Sequence, residues 1–144
     1  MPTAQTPAPV RMRGDSPVRR LSWWWLAALL AVALQLWGVY RVLPPPTEPG
    51  LPGLDKVGHF VAFGLPVVLI CLAVDRTRRR QAAPVRRPRR LVGVVVAVSF
   101  LHAVVSELVQ FAFYRYRSGD PWDVLADATG ITVGAFFAWR AVRA

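Results

Sequence analysis

The chain has 144 residues, a length typical of one domain, and 54% of them are hydrophobic. Its mean hydropathy of +0.36 excludes an ordinary small soluble domain. The net charge of +10 makes nucleic acid a candidate partner, but the longest basic stretch has no interleaved aromatic residues and no recognisable fold. We therefore expect no nucleic-acid partner.

The N-terminal part of the chain is a basic segment followed by an apolar run. Residues 1–18 contain four prolines and few large apolar side chains, a composition that predicts disorder. The next run predicts a helix over 21–43. It is too long for the apolar part of a signal peptide and ends in bulky residues, so we interpret it as a retained membrane helix. The transmembrane domain is predicted over 19–144.

Three further apolar runs predict helices over 57–74, 91–113 and 122–139. Crossing a bilayer core takes about 20 apolar residues, with about 17 tolerated, and each run reaches that length. The sequence therefore predicts an all-α, four-helix, multi-pass transmembrane bundle. The single cysteine, Cys71, lies inside the second run and is interpreted as a buried structural thiol.

The basic residues predict the orientation of the bundle. Four arginines precede the first run, eight lie between the second and third runs, and two follow the fourth. Cytoplasmic segments of membrane proteins carry an excess of Lys and Arg. We therefore predict that both termini and an Arg-rich loop over 75–90 are cytoplasmic, and that two short loops face outside.

The other polar residues collect at the predicted outer ends of the second, third and fourth helices, spaced three or four residues apart. Glu107 lies about six residues, or roughly 9 Å, inside its run. An ionised carboxylate costs on the order of 2–3 kcal/mol at the bilayer centre and somewhat less away from it. It needs a partner, and the candidates are His59, Lys56, Arg115 and Arg117. We predict that Glu107 and His59 approach each other across the second and third helices.

The alternative for these residues is a structural role, since polar side chains join helices and Asp caps helix starts. Taken alone, Asp120 and Asp123 are interpreted as caps. The convergence of many ionisable groups at one depth favours function for the set as a whole. We predict no metal and no cofactor, and the predicted ligand-binding residues are Asp55, Lys56, His59, Glu107, Gln110, Arg117, Asp120, Asp123 and Asp127.

Three stretches resemble one known family. DKVGHFVAFG at 55–64 resembles the D-K-x-x-H-F-x-x-F/Y signature of the VanZ-like membrane proteins. SELVQ at 106–110 resembles the family's E-x-x-Q, and RSGDPWDVLADATGITVG at 117–134 resembles its R…D-x-x-D and N-x-x-G-x-x-x-G stretch. Asp127 stands where the family often has Asn, which adds a negative charge. The resemblance implies a bacterial plasma-membrane location, and the family takes its name from a protein linked to low-level teicoplanin resistance.

Three functions are compatible with these residues. The first is binding of membrane lipid, a lipid-linked cell-wall precursor or a lipophilic glycopeptide, with Arg115 and Arg117 contacting phosphate or carboxylate. The second is a membrane enzyme acting on a lipid phosphate through an acid–base pair or a metal site. Such a metal site would be rich in carboxylates, because the chain has only two histidines. The third is a small proton-coupled carrier using Glu107, which would require a homodimer because four helices hold no internal repeat.

Overall fold

The computed structural model describes residues 22–41, 53–83, 87–114 and 120–143. These residues form four α-helices, which are α1 (Trp23–Tyr40), α2 (Leu54–Arg80), α3 (Pro88–Phe113) and α4 (Pro121–Arg143). The all-α prediction is therefore confirmed. The segment predicted to be disordered, 1–18, lies outside the described residues.

α2 and α3 are longer than their apolar runs predict, and the Arg-rich loop predicted over 75–90 is wrong for most of its length. α2 continues through Arg80, and α3 begins three residues earlier than predicted. Arg has a high helix propensity, and the Asp75 carboxylate accepts a hydrogen bond of 2.8 Å from Arg79 one turn later. The helix therefore extends past the apolar residues, and only 81–87 separate α2 from α3.

Local signals set the starts of α2 and α4. Gly53 has φ +77°, a conformation that favours glycine, and α2 begins at the next residue, three earlier than predicted. Before α4, the Asp120 side chain accepts a hydrogen bond of 2.9 Å from the Trp122 backbone N–H, and Pro121 occupies the first helical position. The predicted capping role of Asp120 is confirmed, and α4 ends four residues later than predicted.

α2 and α4 are the most closely packed pair of helices. A side-chain carbon added at Gly64 would lie 2.7 Å from the Gly130 carbonyl oxygen, and one at Gly134 would lie 2.5 Å from the Gly64 carbonyl oxygen. A carbon added at Gly130 would meet the Phe60 backbone, whereas one at Gly134 would meet the Gly64 backbone. A step of one turn along α4 thus corresponds to a step of one turn in the same direction along α2, so the two helices are parallel. Such an approach of two backbones requires glycine. α1 packs on α2, and α3 packs mainly on α4.

The bundle places apolar side chains outside and polar side chains inside, the reverse of a soluble protein. Large apolar residues are exposed on every helix, among them Leu30, Leu65, Leu101 and Phe137. The buried polar residues within the helices are Gln35, Asp75, Ser106, Glu107, Gln110 and Asp127. This distribution is typical of helices that contact lipid.

Within the described ranges, α1, α2 and α3 are each long and apolar enough to cross a membrane. α4 does not reach that level, because Asp123, Asp127 and Arg140 lower its hydropathy. The chain is thus a helical membrane protein with three clear candidate spans. The predicted fourth crossing stays a prediction.

The two ends of the bundle differ in charge. Arginines of α2, α3 and α4 gather where α2 and α4 end, and several lie over tryptophan rings, with Arg76 at 5.8 Å from Trp24 and Arg143 at 4.7 Å from Trp139. Arg and Trp at one level are typical of a membrane–water interface. We call this the arginine end, and its residues are Arg76, Arg78, Arg79, Arg80, Arg87, Arg89, Arg90, Arg140 and Arg143.

Candidate functional site

Ionisable side chains from three helices meet at the opposite end of the bundle, where α2 and α4 begin. They come from the first turns of α2 and α4, from the last third of α3, and from the residue that precedes α4. Because α2 and α4 are parallel, residues one turn apart on α2 face residues one turn apart on α4. We call this set the polar cluster, and it consists of Asp55, Lys56, His59, Glu107, Asp120, Asp123 and Asp127.

Lys56 joins carboxylates from both helices. Its Nζ donates to Asp123 Oδ1 at 2.5 Å and to Asp120 Oδ2 at 2.6 Å, and it lies 3.0 Å from Asp55 Oδ2. The Lys56 ammonium, together with the Trp122 backbone N–H, holds the pKa of Asp120 below its ordinary value of 3.8. Asp123 therefore serves as a partner of Lys56, and its interpretation as a helix cap is wrong because Asp120 caps α4.

His59 joins α2 to α4 one turn further into the bundle. Its Nδ1 lies 2.9 Å from Asp127 Oδ1, and its Nε2 lies 3.7 Å from Asp123 Oδ2. An ionised carboxylate only accepts hydrogen bonds, so this pairing keeps a proton on Nδ1. When the imidazole is neutral, Nε2 therefore carries the lone pair. The Asp127 side chain is 0% exposed, and its second oxygen has no hydrogen-bond partner among the described residues.

Glu107 points into the bundle and is only 7% exposed. Its Oε2 accepts a hydrogen bond of 3.2 Å from the Asp120 backbone N–H, while its Oε1 is buried and has no partner in the part of the chain that the structure describes. One oxygen of Glu107 lies within 4.8 Å of a nitrogen of His59 and of an oxygen of Asp123. The predicted approach of Glu107 to His59 is confirmed, since an ionisable group at this depth is costly in lipid and turns towards polar partners.

One predicted site residue does not join the polar cluster, and another lies outside the described residues. Gln110 is buried, and its Nε2 donates a hydrogen bond of 3.3 Å to the Val39 carbonyl oxygen near the end of α1. This bond connects α3 to α1, a structural role. Arg117, like Arg115, lies outside the described residues, so its contact with an anion stays a prediction.

An apolar pocket of about 510 Å³ lies beside the polar cluster, between α1 and α2. Asp55 and His59 form one edge of it. A second hollow continues along the same two helices as far as Pro66, and the two share lining residues that include Gly58. We call the combined feature the α1–α2 groove, and its other main lining residues are Leu34, Trp37, Leu54, Val61 and Ala62.

The sequence matches a model of the family described as VanZ/LLP1 over residues 10–142. The chain belongs to the VanZ/LLP1 family. No curated protein and no solved structure matches it. The matched range includes the polar cluster and the α1–α2 groove.

The fold explains the spacing of the polar residues in this VanZ/LLP1 protein. Lys56 and His59 lie three residues apart on one face of α2, and they meet Asp123 and Asp127, four apart on the facing side of α4. Asp127, which stands where an Asn was expected, uses its carboxylate as the acceptor for His59. The pairs Lys56–Asp123 and His59–Asp127 therefore join the two parallel helices at two successive turns.

The α1–α2 groove was not predicted from the sequence of this VanZ/LLP1 protein. The signal that indicates it is a pair of glycines inside helices, Gly38 and Gly58, which both line the pocket. A side-chain carbon added at either position would meet nothing within 4 Å. Glycine in a helix interior costs about 0.5–1 kcal/mol of stability relative to Ala. Where no close backbone contact requires it, a glycine on each of two facing helices therefore indicates a pocket between them.

Proposed function

We propose that this protein crosses the bacterial plasma membrane four times, with the polar cluster at the outer face and both termini in the cytoplasm. The charge difference between the two ends supports this orientation, because the cytoplasmic side of membrane proteins carries an excess of Lys and Arg. α4 is included as a span because its most deeply placed carboxylate, Asp127, is fully covered by neighbouring helices and does not meet lipid.

We infer further that the protein binds an amphiphile. The observation that carries this is the continuity between the two features, since Asp55 and His59 belong to the polar cluster and also line the α1–α2 groove. A molecule with a polar head and an apolar chain would contact both, whereas a small polar solute would leave the groove unused. The candidates are a membrane lipid, a lipid-linked cell-wall precursor and a lipophilic glycopeptide.

The described part of the polar cluster favours a head group that donates hydrogen bonds. It contains five carboxylates but a single ammonium group, that of Lys56, and the buried Oε1 of Glu107 receives no donor from the described residues. Hydroxyl, amide and ammonium groups would supply such donors. An anionic head group would depend on Lys56 and on Arg115 and Arg117 as well.

Filling the groove tests where the ligand binds. Gly58→Leu places a side chain in the groove, and Gly93→Leu places the same side chain on α3, where a carbon at the glycine also meets nothing within 4 Å. The lipids retained by each protein after detergent exchange would be identified by mass spectrometry. We expect wild type and Gly93→Leu to retain the same lipid species and Gly58→Leu to lose it. Equal retention by all three proteins would reject the groove as a binding site.

A second experiment tests the part of the proposal that concerns glycopeptides. The teicoplanin inhibitory concentration would be measured in a susceptible Gram-positive host that expresses wild type, Glu107→Gln or Arg78→Gln at matched membrane abundance. We expect wild type and Arg78→Gln, a change at the arginine end, to raise it, and Glu107→Gln to lose the rise. A rise retained in Glu107→Gln would make Glu107 structural, and no rise with wild type would remove glycopeptides from the candidates.

A second candidate function is hydrolysis or transfer at a lipid phosphate. It is favoured by His59, whose Nδ1 pairs with Asp127 while Nε2 faces Asp123, an arrangement suited to proton transfer. Release of phosphate from a lipid phosphate by purified wild type, and its loss in His59→Gln, would support this function. The same release by both proteins would show that it does not involve the polar cluster.

A further inference from the structure

Three side chains of the polar cluster converge from three different helices. His59 lies on α2, Glu107 on α3 and Asp123 on α4. Each contributes one potential ligand atom, a ring nitrogen or a carboxylate oxygen, and these three atoms all lie within 4.8 Å of one another. We propose that these three residues bind a divalent transition-metal ion, for which Zn²⁺ is the representative probe. The proposal is independent of the amphiphile binding argued above.

Each of the three side chains has one polar atom held by a neighbour and another left over. His59 Nδ1 pairs with Asp127 at 2.9 Å, Asp123 Oδ1 accepts from Lys56 at 2.5 Å, and Glu107 Oε2 accepts from a backbone N–H at 3.2 Å. The remaining atoms are Nε2, Oδ2 and Oε1. Oε1 has no hydrogen-bond partner among the described residues, and Nε2 and Oδ2 face each other at 3.7 Å. Each side chain thus has one atom that could ligate a metal, while its other polar atom holds the side chain in position.

Glu107 gives an independent reason to place a cation here. Its side chain is more than nine-tenths buried, and Oε1 lies in the interior with no donor among the described residues. A buried carboxylate oxygen without a partner is unfavourable. A metal ion between Glu107, His59 and Asp123 would provide that partner, and a divalent charge would offset the excess of carboxylates around Lys56.

The Asp127 carboxylate has the relation to His59 that supporting groups have in many metal sites. It accepts from Nδ1, which fixes the ring orientation and directs the lone pair of Nε2 away from Asp127. Nε2 lies 3.7 Å from Asp123 Oδ2. Zn–N and Zn–O bonds of about 2.0–2.2 Å place ligand atoms roughly 3–4 Å apart, so this separation suits two ligands of one ion.

The donor set indicates the class of metal. One imidazole nitrogen with two carboxylates suits Zn²⁺ or Mn²⁺, whereas Mg²⁺ and Ca²⁺ prefer oxygen ligands throughout. Three protein ligands also leave a coordination position for water or for a group on a bound molecule, as in catalytic zinc sites. The site lies at the edge of the α1–α2 groove, because His59 contributes to both.

Metal binding is tested on the full-length chain in nanodiscs, purified without a polyhistidine tag and stripped with a chelator. Zn²⁺ affinity is measured by competition with a chromogenic chelator, and the bound metal is counted by mass spectrometry. We expect one Zn²⁺ per chain in wild type, no competition from equimolar Mg²⁺, and loss of binding in Glu107→Gln and His59→Gln. The matched control is Asp75→Asn, which removes a buried carboxylate at the arginine end, outside the polar cluster, and should bind as wild type does.

Asp127→Asn tests the supporting contact. It should keep one Zn²⁺ per chain but lower the affinity by about 10–100-fold, the range typical of losing an outer hydrogen-bond partner of a ligand. Helix content and the unfolding temperature without metal are compared for every variant. If His59→Gln does not fold, the comparison of Glu107→Gln with Asp75→Asn decides the matter.

Two results would overturn the proposal, namely no Zn²⁺ retained by wild type or equal retention by wild type and Glu107→Gln. Gly58→Leu separates this proposal from the one on amphiphiles, because filling the groove should remove the lipid and leave Zn²⁺ binding unchanged. Loss of one property without the other therefore identifies which proposal has failed.

Discussion

The polar cluster and the arginine end are both rich in charged residues, but most of the charged side chains are buried or half-buried in the first and exposed in the second. At the polar cluster, Glu107 and Asp127 are buried and Lys56 is shared among three carboxylates from two parts of the chain. At the arginine end, side chains such as Arg78 and Arg80 are exposed. Charges that reach water or lipid head groups cost little, whereas charges held between helices need partners. The first pattern therefore indicates a site and the second indicates a determinant of orientation.

Asp75 is the exception at the arginine end. It is 2% exposed, although the side chain of its partner Arg79 is 42% exposed. The two residues lie one turn apart on α2, and Arg79 also donates a hydrogen bond of 3.4 Å to the Val142 carbonyl oxygen of α4. This contact joins the ends of α2 and α4, but it pairs one carboxylate with one cation. Among the described residues, no group of potential metal ligands converges from three helices at this end.

The largest loss of stability is expected from separating α2 and α4, since the contact between these helices positions both the polar cluster and the arginine end. Gly134→Val would place side-chain atoms against the Gly64 backbone and should lower the free energy of unfolding by about 3 kcal/mol. Gly93→Val provides the control for helix propensity, because its side chain enters open space. Unfolding in detergent micelles measures both variants, and an equal loss in the two would contradict the tight α2–α4 contact.

A smaller effect is expected from removing one cation at each end. Lys56→Met leaves Asp120 and Asp123 without their ammonium partner, which should cost about 1–3 kcal/mol. The figure is below that for a fully buried pair because the Lys56 side chain is 30% exposed. Arg78→Met, at the arginine end, should change stability by less than about 0.5 kcal/mol. Similar losses would show that the two ends do not differ in the way described.

The smallest effect concerns pH. The Lys56 ammonium lowers the pKa of Asp120 in the folded protein below 3.8, so the ionised carboxylate stabilises the fold above that pH and loses its contribution as the pH falls through the lowered value. The difference in unfolding temperature between wild type and Asp120→Asn should therefore be largest near neutral pH and should shrink as the pH falls below 3.8. In a Lys56→Met background the difference should vary less with pH, and an unchanged profile there would assign the pH dependence to another group.

Some features of this protein follow from its sequence because they depend on local composition and period. Apolar runs predict four helices, and the placement of Glu107 within one of them predicts an inward-facing carboxylate near His59. The blocks of arginine predict the difference between the ends of the bundle. Helix boundaries were the weakest part, since hydropathy marks where lipid begins and not where a helix ends. Asp75 with Arg79 at a spacing of one turn is the signal that extends α2.

Tertiary structure alone decided which polar atoms meet. Helical period places Lys56 and His59 on one face of α2, but it does not determine the register of α2 against α4, which depends on the glycines where their backbones touch. That register pairs Lys56 with Asp123 and His59 with Asp127. The placement of α3 beside α1 decides separately that Gln110 donates to the Val39 carbonyl. The α1–α2 groove likewise exists only once two helices are placed side by side, because a space between surfaces belongs to neither sequence segment.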